Sequence, residues 1–322
     1  MASFPTIFSP VLVSMRPFLS SKAFLIPACV LGIWKLLHRI NLHLSTRSLN
    51  NFQTDKSWDW TKEIVLITGG SNGIGAEIVR RLSDRGVAVV IWDIASPPAE
   101  LLGECRSKRS SVQYYHVDVT SEESILSAAR QVRADLGDPS ILINNAGIAI
   151  AENIVEENIQ HRKLQFEINV FAQMRLVQEF LPAMVKRNHG HIVTMASASS
   201  FISTTQLVTY ASTKAAIMAF HEGVAQELRM RYNARRVRTT IVFPHYVRTD
   251  MVKKLTTLHD FPELLLEPEY VADQVVKQVL SGDAGRLILP PSNSWLTYLR
   301  ALPPWYMYRI HSMDPDVYKP RA

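Results

Sequence analysis

Apolar and polar positions along the chain form blocks of two kinds. Short, nearly uninterrupted apolar runs are typical of strands that are buried on both faces, and longer stretches with apolar residues three or four apart are typical of amphipathic helices. The short runs predict strands over 63–67, 88–92, 112–117, 141–144, 191–196 and 237–243. The longer stretches predict helices over 121–136, 166–187 and 210–231.

This alternation of strands and helices predicts the α/β class, with a parallel sheet covered on both faces. The chain has 322 residues, enough for one large domain with a well-buried core, and it contains no internal repeat. Three segments are expected. Residues 1–60 form an apolar, basic leader or membrane anchor, residues 61–291 form the α/β domain, and residues 292–322 form an aromatic and basic segment that acts as a lid or contacts a membrane.

The first predicted strand runs directly into a glycine-rich turn that is followed by a helical pattern. Gly69 would allow a tight turn, Gly73 a close approach of backbone to a pyrophosphate, and Gly75 close packing of helix on strand. The N–H groups at the helix N-terminus would bind the phosphates. This context predicts a single Rossmann-like, doubly wound sheet, although the turn alone could also exist without a ligand.

Asp93 ends the second predicted strand, about twenty residues after the glycine turn. A carboxylate there can accept hydrogen bonds from the adenosine ribose hydroxyls, and it repels a 2′-phosphate. No basic residue replaces it, and the turn carries Asn72 at a position where an arginine could bind the 2′-phosphate of NADP, so NAD is favoured over NADP. The alternative is that Asp93 only starts a turn before Pro97 and Pro98. Asp118, after the third strand, is predicted to lie beside the adenine.

Three side chains could together polarise a carbonyl or an alcohol. Tyr210 and Lys214 are four residues apart, so on a helix both project from the same face, and Ser197 follows the predicted strand over 191–196. A tyrosine has an ordinary pKa near 10, and a cationic lysine one turn away stabilises its phenolate. Taken alone, such a Tyr/Lys pair is also a common surface accident.

With Asn144-Asn145-Ala146-Gly147 and Asn169 added in this order, the motifs resemble those of the short-chain dehydrogenase/reductase family over residues 61–291. The resemblance implies an enzyme that acts on CH–OH groups with NAD(P). It makes Tyr210 the general acid/base, Lys214 the residue that lowers the pKa of Tyr210 and binds the nicotinamide ribose, and Ser197 the residue that orients the substrate oxygen. Asn169 would hold a water that relays protons from Lys214.

The resemblance also implies a set of cofactor contacts, and no metal ligands. These contacts are Gly69, Ser71, Asn72, Gly73, Ile74, Gly75, Asp93, Asp118, Val119, Asn145, Ala146, Gly147, Tyr210, Lys214, Pro244, Val247 and Thr249. One departure is His245, which follows Pro244 where the family usually has glycine. It could narrow the space beside the nicotinamide or touch substrate, and the preferred interpretation is that it points away from the site.

The net charge of +6 is unevenly distributed. Residues 61–289 hold 25 basic and 25 acidic residues, so the excess lies in the two ends, +4 before residue 61 and +2 after residue 289. This distribution argues against a nucleic-acid partner and favours tails that meet an anionic surface.

The two ends are also rich in apolar and aromatic residues. Residues 23–34 carry no charge, which predicts a signal anchor or membrane hairpin; an interfacial segment, a cleaved signal peptide and an ordinary docking arm are the alternatives. Aromatic residues lie beside arginine near the C-terminus, as suits the headgroup layer of a bilayer; covering the substrate pocket or packing between subunits are alternatives. These residues are Trp295, Tyr298, Trp305, Tyr306 and Tyr308, with Arg300 and Arg309.

Within the family the chain is similar to the membrane and lipid-droplet branch that includes 17β-hydroxysteroid dehydrogenase type 11 and the epidermal retinol dehydrogenases. The runs that carry this similarity are 91–94, 180–184, 188–194 and 287–291. It implies a location on the endoplasmic reticulum, on lipid droplets or on both, with the catalytic domain in the cytosol. Cys29 lies in the leader and Cys105 in a helix expected to be exposed, so no disulfide is predicted, which fits a reducing compartment.

Large apolar side chains on both sides of the predicted site indicate a lipophilic alcohol or carbonyl of steroid, retinoid or fatty type. One wall would come from Phe201, Ile202, Leu207 and Val208, and the other from Met251, Val252, Leu255, Leu258, Phe261, Leu264, Leu265 and Leu266. The second segment could instead be a helix that packs on the domain. A homodimer through the helices over 166–187 and 210–231 is implied by resemblance alone.

Two other functions remain open. One is an NADPH-dependent ketoreductase in lipid or secondary-metabolite biosynthesis, which differs in cofactor and direction. The other is a non-catalytic, nucleotide-binding scaffold on lipid droplets, which has no need for Tyr210 and Lys214.

Overall fold

A computed structural model describes residues 22–106, 111–255 and 265–311. Seven parallel strands form one sheet, in the order β3-β2-β1-β4-β5-β6-β7. The strands are β1 (Ile64–Thr68), β2 (Ala88–Asp93), β3 (Val112–His116), β4 (Ile141–Asn144), β5 (Gly190–Met195), β6 (Val237–Pro244) and β7 (Gly285–Leu289). The order runs outward in both directions from β1 and β4, which defines a doubly wound sheet and opens a crevice where these two strands end.

Helices connect the strands and cover both faces of the sheet. They are α1 (Lys22–Leu49), α2 (Gly73–Ser83), α3 (Ala99–Arg106), α4 (Glu122–Asp135), α5 (Ile159–Phe166), α6 (Ala172–Arg187), α7 (Val208–Met230), α8 (Asp250–Leu255), α9 (Pro268–Leu280) and α10 (Pro304–His311). One face packs against α2, α3 and α9 through aliphatic side chains such as Ile78 and Val275. The opposite face packs against α4, α6 and α7, where Phe180 contacts the ring of Trp92 edge-on. The single Rossmann-like sheet predicted from the sequence is confirmed.

The six predicted strands begin and end within about two residues of the predicted limits, whereas β7 and α9 were not predicted and two features of the other helices differ. The helical stretch predicted from residue 166 begins earlier, at Ile159, and contains a π-helical turn at Glu167–Phe171. Cys105, which we expected to be exposed, is buried at 1% relative exposure, because α3 packs on the sheet through Leu101 and Cys105.

The chain divides into two compact units, Met1–Phe52 and Gln53–Ala322. In the first unit, α1 passes through Pro27 and exposes a series of large apolar side chains. These include Ile26, Val30, Leu31, Ile33, Trp34, Leu36 and Leu37. Among the residues the structure describes, no helix is both long enough and apolar enough to cross a membrane. Residues 1–21 of the leader lie outside the described part of the chain, as do Leu258, Phe261 and Leu264 of the predicted substrate wall.

In the second unit, two short elements follow β7. A 3-10 helix, Pro291–Ala301, leads into α10. Leu296 and Leu299 of the 3-10 helix are buried in a third apolar cluster together with Phe201 and Phe243. The C-terminal segment is therefore packed on the α/β domain next to the ends of β5 and β6.

Candidate active site

The glycine turn has the backbone geometry that a nucleotide loop needs. Gly69 has φ +64° and Gly73 has φ +52°, in the left-handed region that favours glycine. A Cβ on Gly75 would lie 2.0 Å from the carbonyl oxygen of Gly69, so no other residue fits there without moving the turn. Asn72 precedes α2 and makes no side-chain capping hydrogen bond. The first backbone N–H groups of α2 can therefore donate hydrogen bonds to phosphate oxygens, and the turn fits a dinucleotide.

The glycine turn is fixed by residues that follow β4. The Thr68 hydroxyl accepts hydrogen bonds from the amides of Asn145 and Ala146, both at 3.1 Å. The Asn145 side-chain amide donates to the carbonyls of Thr68 and Gly69, at 3.0 and 2.9 Å. These hydrogen bonds join the ends of β1 and β4 beside the cofactor crevice. The Asn145 side chain therefore holds the glycine turn in place.

Asp93 lies at the end of β2 and binds backbone amides with both carboxylate oxygens. It accepts from Ser71 N–H and from Ala95 N–H, each at 3.0 Å. The Ser71 hydroxyl donates to the Ala95 carbonyl at 2.6 Å. Asp93 thus forms the turn that the sequence left open as an alternative, and it also holds the glycine loop. A carboxylate has about four acceptor sites, so two ribose hydroxyls can still be bound.

Ser197, Tyr210 and Lys214 converge where β5 ends. Ser197 follows β5, Tyr210 lies in the first turn of α7, and Lys214 lies one turn later. The Lys214 ammonium donates to the Met195 carbonyl at 2.9 Å and lies 5.7 Å from the centre of the Tyr210 ring. The three side chains that the sequence predicted to act together therefore share one wall.

Asn169 lies behind that wall, in the π-helical turn between α5 and α6, a local geometry that is frequent at functional sites. Its side chain exchanges hydrogen bonds with the backbone of Ile148, at 2.8 and 2.9 Å, and donates to the Thr213 hydroxyl at 3.1 Å. A Cβ on Gly147 would lie 3.2 Å from Asn169 Oδ1 and 3.6 Å from Lys214 Nζ. Gly147 therefore lets the backbone pass close to both side chains.

Burial shifts the pKa values of the Tyr/Lys pair in opposite directions. It raises the pKa of Tyr210 to about 12, an effect reinforced by the nearby Tyr246 and partly offset by a hydrogen bond with Ser197. It lowers the pKa of Lys214 to about 8. The lowering of the Tyr210 pKa that we expected from Lys214 is not seen in this geometry, because desolvation dominates and the ammonium donates to Met195.

A cavity of about 1110 Å³ runs from the glycine turn to the Ser/Tyr/Lys wall. Most of the predicted site residues line it. They are Gly69, Asn72, Gly73, Ile74, Asp93, Asp118, Val119, Asn145, Ala146, Gly147, Ser197, Tyr210, Lys214, Pro244, Val247 and Thr249. Ser71, Gly75 and Asn169 are buried and are not among the described residues that line the cavity.

The sequence did not identify several residues of the cavity wall. Ile148, Ala149 and Ile150 line it, and their signal was available, because they directly follow the Asn144–Gly147 motif. Leu164, Ile168 and Tyr246 also line it, and only the folded chain brings them there. His245 lies at the cavity wall as well, instead of pointing away as we expected. Its amide donates to Leu289 O at 2.8 Å, and its ring lies 4.8 Å from that of Tyr246.

The apolar outer wall agrees with the prediction in part. Ile202, Leu207, Met251 and Val252 line the cavity. Phe201 instead packs on Phe243 with ring centres 4.6 Å apart, and Val208 is exposed.

Comparison with known proteins places this geometry in a family. The family model described as short chain dehydrogenase matches residues 63–259. The chain is 48% identical over 207 residues to dehydrogenase RED2 of Cochliobolus heterostrophus, covering 64% of this chain and 76% of that protein. It is 35% identical over 245 residues to estradiol 17-beta-dehydrogenase 11 of Homo sapiens, covering 76% of this chain and 80% of that protein. The crystal structure of Cj0485 dehydrogenase matches with a TM-score of 0.63 and 25% identity, covering 72% of this chain and 94% of that one.

Fold and site together define an α/β oxidoreductase that acts on CH–OH groups. The chain belongs to the short chain dehydrogenase family, whose members use NAD(P).

Proposed function

We propose that this enzyme is membrane-associated and interconverts a lipophilic alcohol, of steroid, retinoid or fatty type, and its carbonyl, oxidising the alcohol with NAD. One observation carries the proposal. A single cavity joins the glycine turn and Asp93 to Ser197 and Tyr210, and continues between apolar walls. A polar reaction centre at the inner end of an apolar cavity suits a large apolar substrate with one reacting oxygen.

The bound dinucleotide would accept or return a hydride. The amides of the glycine turn would bind its pyrophosphate, and Asp93 would bind its adenosine ribose. Ser197 and Tyr210 would hydrogen-bond the substrate oxygen. In oxidation Tyr210 takes the hydroxyl proton as it gives up its own, because burial keeps the phenol protonated near neutral pH. Lys214 has a pKa of about 8, so near neutral pH it can release a proton to the relay and then accept the one that Tyr210 gives up. Asn169 holds the water of this relay beside Gly147.

The substrate class follows from the outer part of the cavity. Ile150, Leu164, Ile202, Leu207 and Met251 offer aliphatic surface to the substrate. The similarity to a protein named estradiol 17-beta-dehydrogenase 11 supports a bulky, lipophilic alcohol.

Membrane attachment is assigned to the basic N-terminal leader. Residues 1–60 have a net charge of +4, and α1 exposes many large apolar side chains, two properties that favour an anionic lipid surface. We assign the enzyme to the endoplasmic reticulum or to lipid droplets, with its catalytic domain in the cytosol. Cys29 and Cys105 are both free thiols, which agrees with that compartment. A homodimer would use the helical face that exposes Phe171.

A reductase that uses NADPH is the second candidate, because one contact weakens the argument for NAD. Because Asp93 already holds the amides of Ser71 and Ala95, its presence is explained without a ribose. The preference for NAD therefore needs a direct measurement.

The test is a titration of NAD(H) and NADP(H) into the purified full chain in detergent, for the wild type, Asp93→Ala and Ser71→Ala. Ser71→Ala is the matched control, because it removes one tie of the loop to Ala95 and keeps the carboxylate. We expect NAD(H) to bind more tightly than NADP(H), and only Asp93→Ala to remove that preference. Binding that favours NADPH would support the reductase, and failure to bind either would contradict both proposals.

A screen of lipophilic alcohols with the preferred cofactor would follow. Tyr210→Phe should abolish turnover and leave cofactor affinity nearly unchanged, because the phenol oxygen is the group that exchanges the substrate proton. Turnover that persists in Tyr210→Phe would contradict the assigned role.

A further inference from the structure

The 3-10 helix Pro291–Ala301 has one buried and one exposed side. Leu296 and Leu299 are buried in the cluster around Phe201. Trp295 directly precedes Leu296, and Tyr298 directly precedes Leu299. Both aromatic side chains are exposed. Residues three apart share a side of a 3-10 helix, so the aromatic pair forms one row that faces outward.

Helix α10 repeats this arrangement. Met307 and Ile310 pack against the same cluster, whereas Trp305 and Tyr308 are exposed. The four outward aromatic residues Trp295, Tyr298, Trp305 and Tyr308 form what we call the aromatic surface. The four rings are 51–77% exposed and stand on two consecutive elements that pack on the same cluster, which favours an interaction surface.

The segment that carries the aromatic surface also forms part of the substrate cavity. Asn293, Trp295, Leu296 and Ile310 line the cavity. The Arg300 guanidinium donates to the carbonyls of Ser200 and Phe201, at 3.1 and 3.5 Å, and so attaches the segment to the loop that follows Ser197. Trp295 belongs to both surfaces, because it is half-exposed and lines the cavity.

The segment that carries the aromatic surface is basic. Residues 284–313 include Arg286, Arg300 and Arg309 and contain neither aspartate nor glutamate. Tryptophan and tyrosine rings favour the headgroup level of a bilayer, and arginine favours anionic headgroups. A two-fold dimer through this surface would instead bring like charges together.

We propose that the aromatic surface docks on an anionic lipid surface and that the substrate cavity opens at this contact. The proposal deepens the proposed function and rests on it for the arrival of substrate, but docking itself does not require turnover. Trp295 at the cavity wall and the other three rings would lie among the headgroups, so a lipophilic alcohol could enter without crossing water.

The experiment compares binding of the full chain to phosphatidylcholine vesicles with and without phosphatidylserine. The variant is Tyr298→Ser with Trp305→Ser, side chains that are 70% and 69% exposed and do not line the cavity. The matched control is Met230→Ser with Tyr232→Ser at the end of α7, where the side chains are 67% and 49% exposed. We expect the variant to bind about tenfold more weakly and the control to match the wild type.

Arg309→Gln tests the charge independently and keeps every apolar contact. It should reduce the gain in binding that phosphatidylserine gives, by about fivefold, and leave binding to phosphatidylcholine unchanged. Equal binding of wild type, Tyr298→Ser/Trp305→Ser and Arg309→Gln would overturn the proposal. So would a concentration-dependent dimer that the aromatic variant abolishes, because the surface would then join two copies of the chain.

Turnover separates this proposal from the proposed function. With an alcohol dissolved in vesicles, Tyr298→Ser/Trp305→Ser should be several-fold slower than the control, whereas with a short, water-soluble secondary alcohol the two should be equal. If no alcohol is turned over by any form, the proposed function fails, and vesicle binding still decides the docking. An equal loss on both alcohols would overturn the docking role in catalysis.

Discussion

At the scale of one residue, the buried ammonium of Lys214 lowers the free energy of unfolding. Its ammonium is buried, donates to the Met195 carbonyl, and has a pKa lowered to about 8 by burial. A buried base of this kind holds its proton less firmly in the folded chain than in the unfolded one. The penalty is complete below pH 8, and it is relieved as the pH rises from about 8 toward the ordinary 10.5.

We predict that Lys214→Met abolishes turnover and raises the free energy of unfolding near pH 7 by ~1–3 kcal/mol, because a buried cation is removed and the side-chain volume is nearly kept. The rise in stability between about pH 8 and 10.5 should disappear in the variant. Urea unfolding across this pH range measures both effects. Lys62→Met is the control, because Lys62 is exposed and should change stability little. A less stable Lys214→Met would mean that the ammonium stabilises the fold.

The sequence could predict those site residues whose relative positions are fixed by their spacing along the chain. Tyr210 and Lys214 are one helical turn apart, so their shared wall followed from the spacing alone. Tyr246 and Leu164 reach the cavity from separate elements, and no local pattern encodes that meeting. The raised pKa of Tyr210 also could not be predicted, because it arises from burial that only the packed wall creates.

Helix α2 depends on two backbones that approach more closely than a methyl group allows. A Cβ on Gly75 would lie 2.0 Å from Gly69 O and 2.7 Å from Asn145 Nδ2. We predict that Gly75→Ala destabilises the protein by ~2 kcal/mol or more and removes cofactor binding, because the turn must move. Gly223→Ala is the matched control in the middle of α7. No atom lies within 4 Å of its added Cβ, so it should stabilise by ~0.5–1 kcal/mol.

Thermal unfolding and a cofactor titration of the two glycine variants decide this prediction. Normal cofactor affinity in Gly75→Ala would show that the turn tolerates displacement, and the assignment of Gly75 to close packing would then be wrong.

Elements whose environment is uniform were the ones the sequence predicted well. Strands β1, β2, β4 and β5 are buried on both faces and consist of continuous apolar runs, so their limits were close to those observed. Helix α5 was missed because it is short and mostly polar, and its position depends on contacts with α7, which is distant in the sequence. The buried and exposed sides of the C-terminal segment were also not predicted. Its apolar residues are buried against Phe201 and Phe243, which are distant in the sequence.

At the scale of the whole molecule, the residues before β1 belong to the catalytic unit. Gln53 offers its carbonyl to the Arg238 guanidinium at 3.1 Å, and Glu63 lies 3.2 Å from His189 Nε2. Trp58 stacks on Trp60 and packs against His189. These contacts lie at the N-terminal ends of β1, β5 and β6, whereas the cavity lies at the C-terminal ends of the strands. The boundary at residue 60 that we predicted from composition therefore falls inside a packed segment of this unit.

Deletion of residues 1–49 keeps Gln53 and all of these contacts before β1. We predict that the shortened chain unfolds at the same temperature and binds cofactor with the same affinity, because the sheet and the cavity are complete without the leader. Its partition onto phosphatidylserine vesicles should fall about tenfold or more, since the exposed apolar side chains of α1 and most of the excess charge are lost. Binding that remains should depend on Trp305 and on salt, because the aromatic surface and its arginines are retained.

A lower melting temperature would show that the leader stabilises the catalytic unit. Unchanged partition would assign all membrane attachment to the C-terminal segment and leave α1 without the role proposed for it.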